Sequence, residues 1–263
     1  MKRVMRQSKT GHKFLCQRDT VDFRDRKYCA PMAVRLNLPI AVNMESKLPG
    51  VWDQQTIGSC TAHGCGEAVC SEEIKQRGTF TMPSRLFVYW NPRVLEGTSD
   101  QDSGCQIRDV IKCLAKQGAC PESEWIYDVS KYAVKPPDQC FVDGVKEQAL
   151  KYESVPNDLA HIKGSLAEGF PVVVGLTLYS SFESAKTMLT GIVPMPSLWE
   201  QYIQGPLGGH CLLVFGYNDK TGRFLVRNSW GMAYKNRTSG NCEIPYAYFA
   251  KYGNDFWKVE LVQ

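Results

Sequence analysis

Residues 54–62, QQTIGSCTA, place Cys60 where a loop of small residues enters a helix. Apolar residues recur at helical spacing from Cys60 onward, and Gly78 marks the expected end of that helix. The unsatisfied N–H groups of a first helical turn favour an anion, so a thiol there ionises below its usual pKa of about 8.5. Gln54 can add a side-chain N–H to an oxyanion hole beside the backbone N–H of Cys60. This spacing predicts a thiolate nucleophile; the alternative is that Cys60 is a small buried residue of the core.

A thiolate nucleophile requires a base, and His210 is the best placed of the four histidines. It follows the glycine-rich turn GPLGG and begins an apolar run, LLVFGY, that is typical of a strand. A short turn returns the chain as RFLVRNSWG, which predicts a hairpin that brings Asn228 close to His210. The Asn228 amide can then orient the imidazole, and Trp230 can shield that bond from water. The remaining histidines lie in polar stretches or beside Cys60 on its own helix and suit this role less: His12, His161 and His63.

The order Cys, His, Asn, with a glutamine upstream, resembles the papain family of cysteine peptidases. The resemblance implies that Cys60 is the nucleophile, His210 the general base and acid, and Asn228 the residue that orients the imidazole. Gln54 matches the oxyanion-hole glutamine, and Trp230 matches the indole that covers the histidine–asparagine bond. The resemblance also implies that a substrate strand is bound by Ser103, Gly104, Gly209 and Trp230.

Further segments extend the resemblance over most of the chain, toward a subgroup of prokaryotes, protists and large viruses with a short N-terminal extension. They are RDRKYCAP at 24–31, PSRLFVYWNPRVLEG at 83–97, DSGCQIRDVIKCLAKQGACPESEWIYD at 102–128 and EIPYAYF at 243–249. Three positions depart from the family pattern: Ile57 replaces a disulfide cysteine, Thr61 an aromatic residue, and Tyr234 a common second tryptophan. None of the three departures removes a catalytic group.

The periodicity of the chain changes near its middle, which predicts an α+β fold. Helical patterns occupy 60–77, 83–95, 105–117 and 140–151, and strand-like runs occupy 170–179, 210–219, 223–230 and 257–262. Together with the resemblance, this predicts a papain-like two-lobed fold. A helical left lobe would face an antiparallel β-barrel right lobe, with the active site in the cleft between them. The expected divisions are an N-terminal extension at 1–47, a possible propeptide, a helical lobe at 48–155 with the nucleophile, and a β-barrel lobe at 156–263 with the histidine and asparagine.

Composition and charge indicate neither a nucleic-acid partner nor a membrane partner. The net charge is +4, and basic residues cluster only at 1–13, where we expect a solvated tail. No run approaches the roughly 18 consecutive apolar residues of a membrane span, and residues 1–30 lack the apolar core of a signal peptide. The location stays open and the cytoplasm is favoured. We expect a monomer.

The eleven cysteines do not imply a metal or a cofactor. Their number fits either disulfides or reduced thiols, and without a signal peptide we favour reduced thiols and an unused sequon at 236–238. Cys60, His63, Cys65 and Cys70 invite a zinc interpretation. At about 100° per residue the last two point away from the first two, so four ligands cannot converge on one ion. We therefore expect no metal and no cofactor.

These observations predict a cysteine endopeptidase that hydrolyses peptide bonds of a peptide or protein substrate through a thioester on Cys60. Two alternatives stay open: a catalytically silent homologue that binds peptides in its cleft, and an acyl transferase that uses the same residues. We expect residues 1–47 to inhibit the enzyme within the same chain by crossing the cleft. The apolar anchors of this segment are Phe14, Phe23, Tyr28 and Met32. The alternative is that the segment braces the back of the lobes, as RDRKYCAP in particular would.

Overall fold

A computed structural model describes residues 8–147, 150–234 and 240–261. The first seven basic-tail residues and the sequon at 236–238 lie outside this part of the chain. The α-helices are α1 (Met32–Leu36), α2 (Cys60–Arg77), α3 (Arg85–Leu95), α4 (Ile107–Gln117), α5 (Asp138–Gly144), α6 (Leu159–Ala167), α7 (Ala185–Thr190) and α8 (Tyr246–Tyr252). The strands are β1 (Ala41–Asn43), β2 (Leu150–Ser154), β3 (Val172–Leu178), β4 (Gly208–Asn218), β5 (Arg223–Arg227), β6 (Asn241–Pro245) and β7 (Gly253–Leu261).

The described strands form one antiparallel sheet in the order β2-β7-β3-β4-β5-β6, and β1 pairs with the end of β4. Helices dominate the part of the chain before this sheet, and shorter helices are inserted between its later strands. The predicted α+β class is therefore confirmed. Within the described residues, no helix is both long enough and apolar enough to cross a membrane.

Helix α2 begins at Cys60 and ends at Arg77, as the sequence predicts. Gly78 follows in the left-handed region with φ of 74°, and its N–H bonds the Ile74 carbonyl at 3.0 Å, which closes the helix. The helix is buried along most of its length and packs on β4. At Gly64 an added Cβ would lie 2.9 Å from Cys211 Sγ, so a larger side chain would push α2 away from β4.

The predicted hairpin is confirmed by the pairing of β4 with β5. Leu213 lies opposite Arg227 and Val214 opposite Val226, with a turn at 219–222. Both strands are largely buried, so alternate positions pack on two covered faces and fix the register. Asn228 follows directly after β5 and is carried back toward the start of β4.

The predicted helix at 140–151 is wrong in its second half. Helix α5 ends at Gly144, and Leu150–Ser154 is instead strand β2, which pairs with β7. Ser154 lies opposite Trp257, about a hundred residues further along the chain. Because a partner at that separation is invisible in a local window, the tertiary pairing overrides the local helical pattern.

The N-terminal segment is partly built into the fold. The Tyr28 N–H bonds the Ser154 carbonyl at 2.8 Å, and the Ser154 N–H bonds the Arg26 carbonyl at 2.7 Å. Tyr28 and Ala30 are both buried, and β1 extends the edge of the sheet. This part of RDRKYCAP packs as the brace alternative expects. The division of the chain at residue 47 stays a prediction.

Candidate active site

His210 and Asn228 meet at the open end of the β4–β5 hairpin. His210 Nε2 and Asn228 Oδ1 are 2.8 Å apart, and both side chains are buried. His210 Nδ1 is also buried and has no hydrogen-bond partner among the described residues. A buried ring nitrogen without a partner is uncommon because it costs free energy. Here it leaves Nδ1 available to a thiol or a substrate.

The Asn228 amide is held at both ends. Its Nδ2 donates to the Tyr234 hydroxyl at 2.8 Å, and its Oδ1 also accepts from the Ser229 N–H at 2.8 Å. Tyr234 is itself buried. The amide orientation that points Oδ1 at His210 therefore has hydrogen-bond partners at both its oxygen and its nitrogen.

Cys60 is fully buried at the first position of α2. Burial, and to a lesser extent neighbouring Cys211, raise the pKa of its thiol to about 12, against the opposing effect of the backbone amides of Cys211, Thr61 and Cys60 itself. Cys211 follows His210 near the start of β4, and its backbone amide bonds Cys60. The start of α2 and the start of β4 therefore place Cys60 and His210 in the same region. The lowered thiol pKa that the sequence predicts for a first helical turn is therefore not observed, because burial outweighs the effect of the backbone amides.

Gln54 approaches the site with its side-chain amide. Its Oε1 accepts from the Ser229 hydroxyl at 2.7 Å, and its Nε2 donates to the Ile57 carbonyl at 3.0 Å. The same Nε2 donates to the carbonyl of Lys13 at 3.2 Å. The Lys13 carbonyl therefore accepts a hydrogen bond from the amide nitrogen that the sequence analysis assigns to the oxyanion hole.

Aromatic rings cover the imidazole. The Trp230 ring is centred 5.4 Å from His210 and tilted by 35°, and the Phe14 and Phe182 rings contact His210 edge-on. The His12 ring stacks on Trp230 at 4.9 Å with an interplanar angle of 11°. Burial under these rings lowers the pKa of His210 to about 4, although the Asn228 bond acts in the opposite direction.

Residues 12–17, which we call the cleft strand, cross the site in an extended conformation. Leu15 pairs with Gly209 and Gln17 with Gln106, each through a parallel bridge. The N–H of residue 16 bonds the Gly209 carbonyl at 3.0 Å, and the Gln17 N–H bonds the Cys105 carbonyl at 3.2 Å. The cleft strand thus bonds the start of β4 on one side of the site and the loop before α4 on the other.

The predicted substrate-binding residues all contact the cleft strand. Gln17 Nε2 donates to the Ser103 carbonyl at 3.2 Å. At Gly104, with φ of 67°, an added Cβ would lie 1.8 Å from the Leu15 carbonyl oxygen, so only glycine permits this approach. At Gly209 an added Cβ would lie 2.1 Å from the next carbonyl of the strand.

Asp102 is a further member of the site that the sequence did not single out. Its Oδ1 accepts from the Gly58 N–H at 2.8 Å and from the Tyr89 hydroxyl at 2.6 Å. Its Oδ2 pairs with Lys13 Nζ at 2.6 Å. One carboxylate therefore joins the loop before Cys60 to the cleft strand. The sequence also does not indicate the role of His12, because His12 stacks on the distant Trp230. It marks Tyr234 only as a departure from the family pattern, without its bond to Asn228.

His63 and His161 are not part of this arrangement. His63 Nδ1 lies 2.9 Å from the Ser59 carbonyl, and burial lowers the pKa of its imidazole to about 3. His161 Nδ1 lies 2.8 Å from Asp158 Oδ1. All eleven cysteines are free thiols, and among the described residues the group at Cys60 and His63 is not one that could hold a metal ion.

Comparison with known proteins shows which family this chain resembles. The family model described as Peptidase_C39 like family matches residues 121–256, a range that includes His210 and Asn228 and excludes Cys60. An uncharacterized peptidase C1-like protein of Acanthamoeba polyphaga mimivirus is 41% identical over 222 residues, which cover 80% of this chain and 69% of that protein.

Two solved structures share the fold. Xylellain, a cysteine protease from Xylella fastidiosa, is 34% identical, with a TM-score of 0.87 and complete coverage of both chains. A digestive procathepsin L of Tenebrio molitor larval midgut is 17% identical, with a TM-score of 0.71 over 96% of this chain and 77% of that one. The predicted two-lobed α+β fold is confirmed, and the chain belongs to the papain-like cysteine peptidases.

Proposed function

We propose that this cysteine peptidase is an endopeptidase that uses Cys60, His210 and Asn228 as its triad and Gln54 in its oxyanion hole. The observation that carries the proposal is the 2.8 Å bond from His210 to Asn228, which leaves the buried Nδ1 as the free nitrogen of the ring. Cys60 begins α2 beside Cys211, the residue that follows His210. The imidazole is thus held by one nitrogen and available through the other.

The reaction follows from these positions. His210 Nδ1 takes the proton of the Cys60 thiol, and the thiolate attacks the peptide carbonyl. The Gln54 amide and the Cys60 N–H stabilise the oxyanion that forms. His210 returns the proton to the leaving amine, which gives a thioester on Cys60, and water then hydrolyses the thioester with His210 as base.

The cleft strand is itself an extended peptide, so the site can bind an extended substrate. It uses the Gly209 carbonyl on one side and the Ser103 and Cys105 carbonyls on the other. Its chain continues past the catalytic residues in both directions, from the Trp230 indole to Gln106. A cleft that admits the interior of a chain supports cleavage within a substrate rather than at its end.

We infer that the cleft strand inhibits the enzyme within the same chain. The Lys13 carbonyl occupies the Gln54 amide, and Phe14 covers the imidazole. With the strand in place the pKa of the Cys60 thiol is raised and that of His210 is lowered, so the ion pair that performs the attack is disfavoured. Two bonds just outside the cleft strand anchor its ends. Before it, the Thr10 hydroxyl donates to Glu183, and after it, the Asp19 carboxylate accepts from the Trp257 indole.

The test is covalent labelling with an epoxysuccinyl peptide or a peptide vinyl sulfone, followed by mass spectrometry of the intact chain. We expect one label, on Cys60, in a chain whose cleft strand has been displaced, and none in Cys60→Ala. Hydrolysis of a peptide should parallel the labelling. A folded, strand-displaced protein that neither labels nor hydrolyses would be a silent binding module. Transfer of the acyl group to an added amine in preference to water would indicate the acyl transferase.

A further inference from the structure

Three side chains that can ligate a metal converge away from the cleft. Cys120 follows α4, Glu124 lies on the turn after it, and Cys140 lies in α5. One thiol sulfur from each cysteine and one carboxylate oxygen all lie within 4.8 Å of one another. Among the described residues, this is the one such group of three or more cysteine, histidine and acidic side chains.

The surroundings of the group suit a thiolate site with one open side. Both cysteines are fully buried in a small apolar cluster with Phe87, and Trp125 and Phe141 pack against them. Glu124 is exposed, so its carboxylate closes the group toward solvent. The two thiols lie side by side as free cysteines and form no disulfide. Burial raises the pKa of both thiols, so without a cation they stay protonated.

We propose that Cys120, Glu124 and Cys140 bind one Zn²⁺ ion, with a water molecule as the fourth ligand. Zinc prefers thiolate sulfur at about 2.3 Å and carboxylate oxygen at about 2.0–2.2 Å in tetrahedral geometry, which places neighbouring ligand atoms roughly 3.4–3.8 Å apart. The three ligand atoms lie within 4.8 Å of one another, so no separation exceeds these values by more than about 1.4 Å before the side chains adjust. Binding replaces the two thiol protons, which pass to solvent, and no group is oxidised or reduced.

The ion would tie α5, which buries few of its residues, to the loop that follows α4. Among the seven residues of α5, the buried ones are Cys140 and Gly144. The segment enclosed between the two cysteines carries Tyr127, whose hydroxyl donates to the Gln54 carbonyl at 2.8 Å and lies 2.7 Å from Ser59 Oγ. A zinc ion here therefore holds the segment that supports the loop leading to the catalytic cysteine.

The test uses the full chain in a Cys60→Ala background, which removes the nucleophile as a competing ligand. The reduced protein is incubated with Zn²⁺, desalted and assayed for zinc per chain, and Co²⁺ is used as a spectroscopic probe. We expect one zinc per chain, and with Co²⁺ the thiolate charge-transfer band of a tetrahedral site. At a zinc concentration near 100 times Kd, the Tm of the protein should be roughly 5–10 °C higher than the Tm of the same protein after the zinc is removed by chelation.

Matched variants separate this site from others. Cys140→Ser should lose the zinc, and Glu124→Gln, an exposed change, should fold normally and bind zinc at least tenfold more weakly. Cys113→Ser, on the adjacent α4, should retain one zinc per chain. Zinc retained in Cys140→Ser would overturn the proposal. A reduced, folded protein that binds no zinc, or one in which Cys120 and Cys140 form a disulfide that resists the reductant, would overturn it as well.

Discussion

Asn228 donates from Nδ2 to the Tyr234 hydroxyl at 2.8 Å while its Oδ1 lies 2.8 Å from His210 Nε2. A side-chain amide has one donor end and one acceptor end, so an acceptor placed at Nδ2 holds the oxygen toward the imidazole. At this position the papain family commonly has a tryptophan, and an indole N–H can only donate. The tyrosine therefore gives this chain an acceptor that fixes the amide.

We predict that Tyr234→Phe lowers kcat/KM by about tenfold, because the freed Nδ2 is left buried without an acceptor and the amide can turn. The pH profile of Cys60 alkylation should shift in the same variant, since the imidazole is held less firmly. Tyr248→Phe is the control: it removes another buried hydroxyl, which donates to the Thr177 carbonyl at 3.0 Å rather than to a side chain of the triad. Equal losses of activity in both variants, with an unchanged pH profile, would contradict a positioning role.

Gln54→Ala should lower kcat by about 10² to 10³, the usual effect of losing one oxyanion donor, while the rate of thiol alkylation changes little. Both rates are measured on protein with its cleft strand displaced. Ser229→Ala should give a smaller decrease, because the Ser229 hydroxyl only anchors Oε1 of the glutamine, at 2.7 Å. If alkylation of Gln54→Ala collapses while turnover per reactive thiol is preserved, then Gln54 has a structural role.

Local patterns were enough to predict α2, the β4–β5 hairpin and the contact of His210 with Asn228. Each depends on residues close in sequence: a helix start at Cys60, its end at Gly78, and a short turn that returns Asn228 to His210. Two strands separated by a turn of a few residues have little choice of register when both are buried.

The parts that the sequence did not predict depend on distant partners. The predicted helix at 140–151 runs into the start of β2, because the pairing of β2 with β7 is not local. The Asp102 link between Gly58 and Lys13 brings together three segments that share no pattern. The convergence of Cys120 with Cys140 likewise appears only after α5 folds back on the loop that follows α4.

The free energy of unfolding of the full chain, with its cleft strand in place, should fall as the pH rises toward neutrality. Burial and the neighbouring Asp255 raise the pKa of Asp19 from 3.8 to about 7, although bonds from Arg108 and Trp257 act in the opposite direction. Since the folded state binds the proton more tightly than the unfolded state, this contribution is fully present below about pH 4 and is lost as the pH rises through about 7. The Asp19 N–H also bonds Asp255 Oδ2 at 3.0 Å, so the two carboxyl groups meet where the N-terminal segment leaves the cleft.

We predict that Asp19→Asn removes this pH dependence, because the amide keeps an acceptor for the Trp257 N–H and carries no charge. In a Cys60→Ala background, which prevents self-cleavage, the Tm of the parent should fall by roughly 5 °C between pH 4 and pH 8 from this group, and the variant should lack that decrease. Asp22→Asn is the control, since its pKa is lowered by Arg24 and changes in the opposite sense. Parallel Tm curves for Asp19→Asn and its parent would exclude Asp19 as the source.

Removal of the cleft strand should activate the enzyme, but the deletion must spare the brace. A chain that begins near Ser46 would lose Tyr28, Ala30 and β1, which are part of the fold. A chain that begins at Asp19 retains them and loses residues 12–17. We expect it to hydrolyse peptides at least tenfold faster than the full chain, because the Gln54 amide and His210 become accessible. A peptide of residues 8–20 added back should inhibit it.

A point variant makes the same test without a deletion. Leu15 packs so closely on Gly58 and Gly104 that a Cβ added at either glycine would lie 2.6 Å or less from its atoms. Leu15→Glu would replace this close apolar contact with a charged side chain, and should release the strand and raise the rate of Cys60 alkylation. Phe23→Ala changes an aromatic residue of the same segment that is 99% exposed, and should leave the rate unchanged. If Leu15→Glu is folded and no more reactive than Phe23→Ala, the cleft strand is a fixed part of the fold and the enzyme must admit substrate by another route.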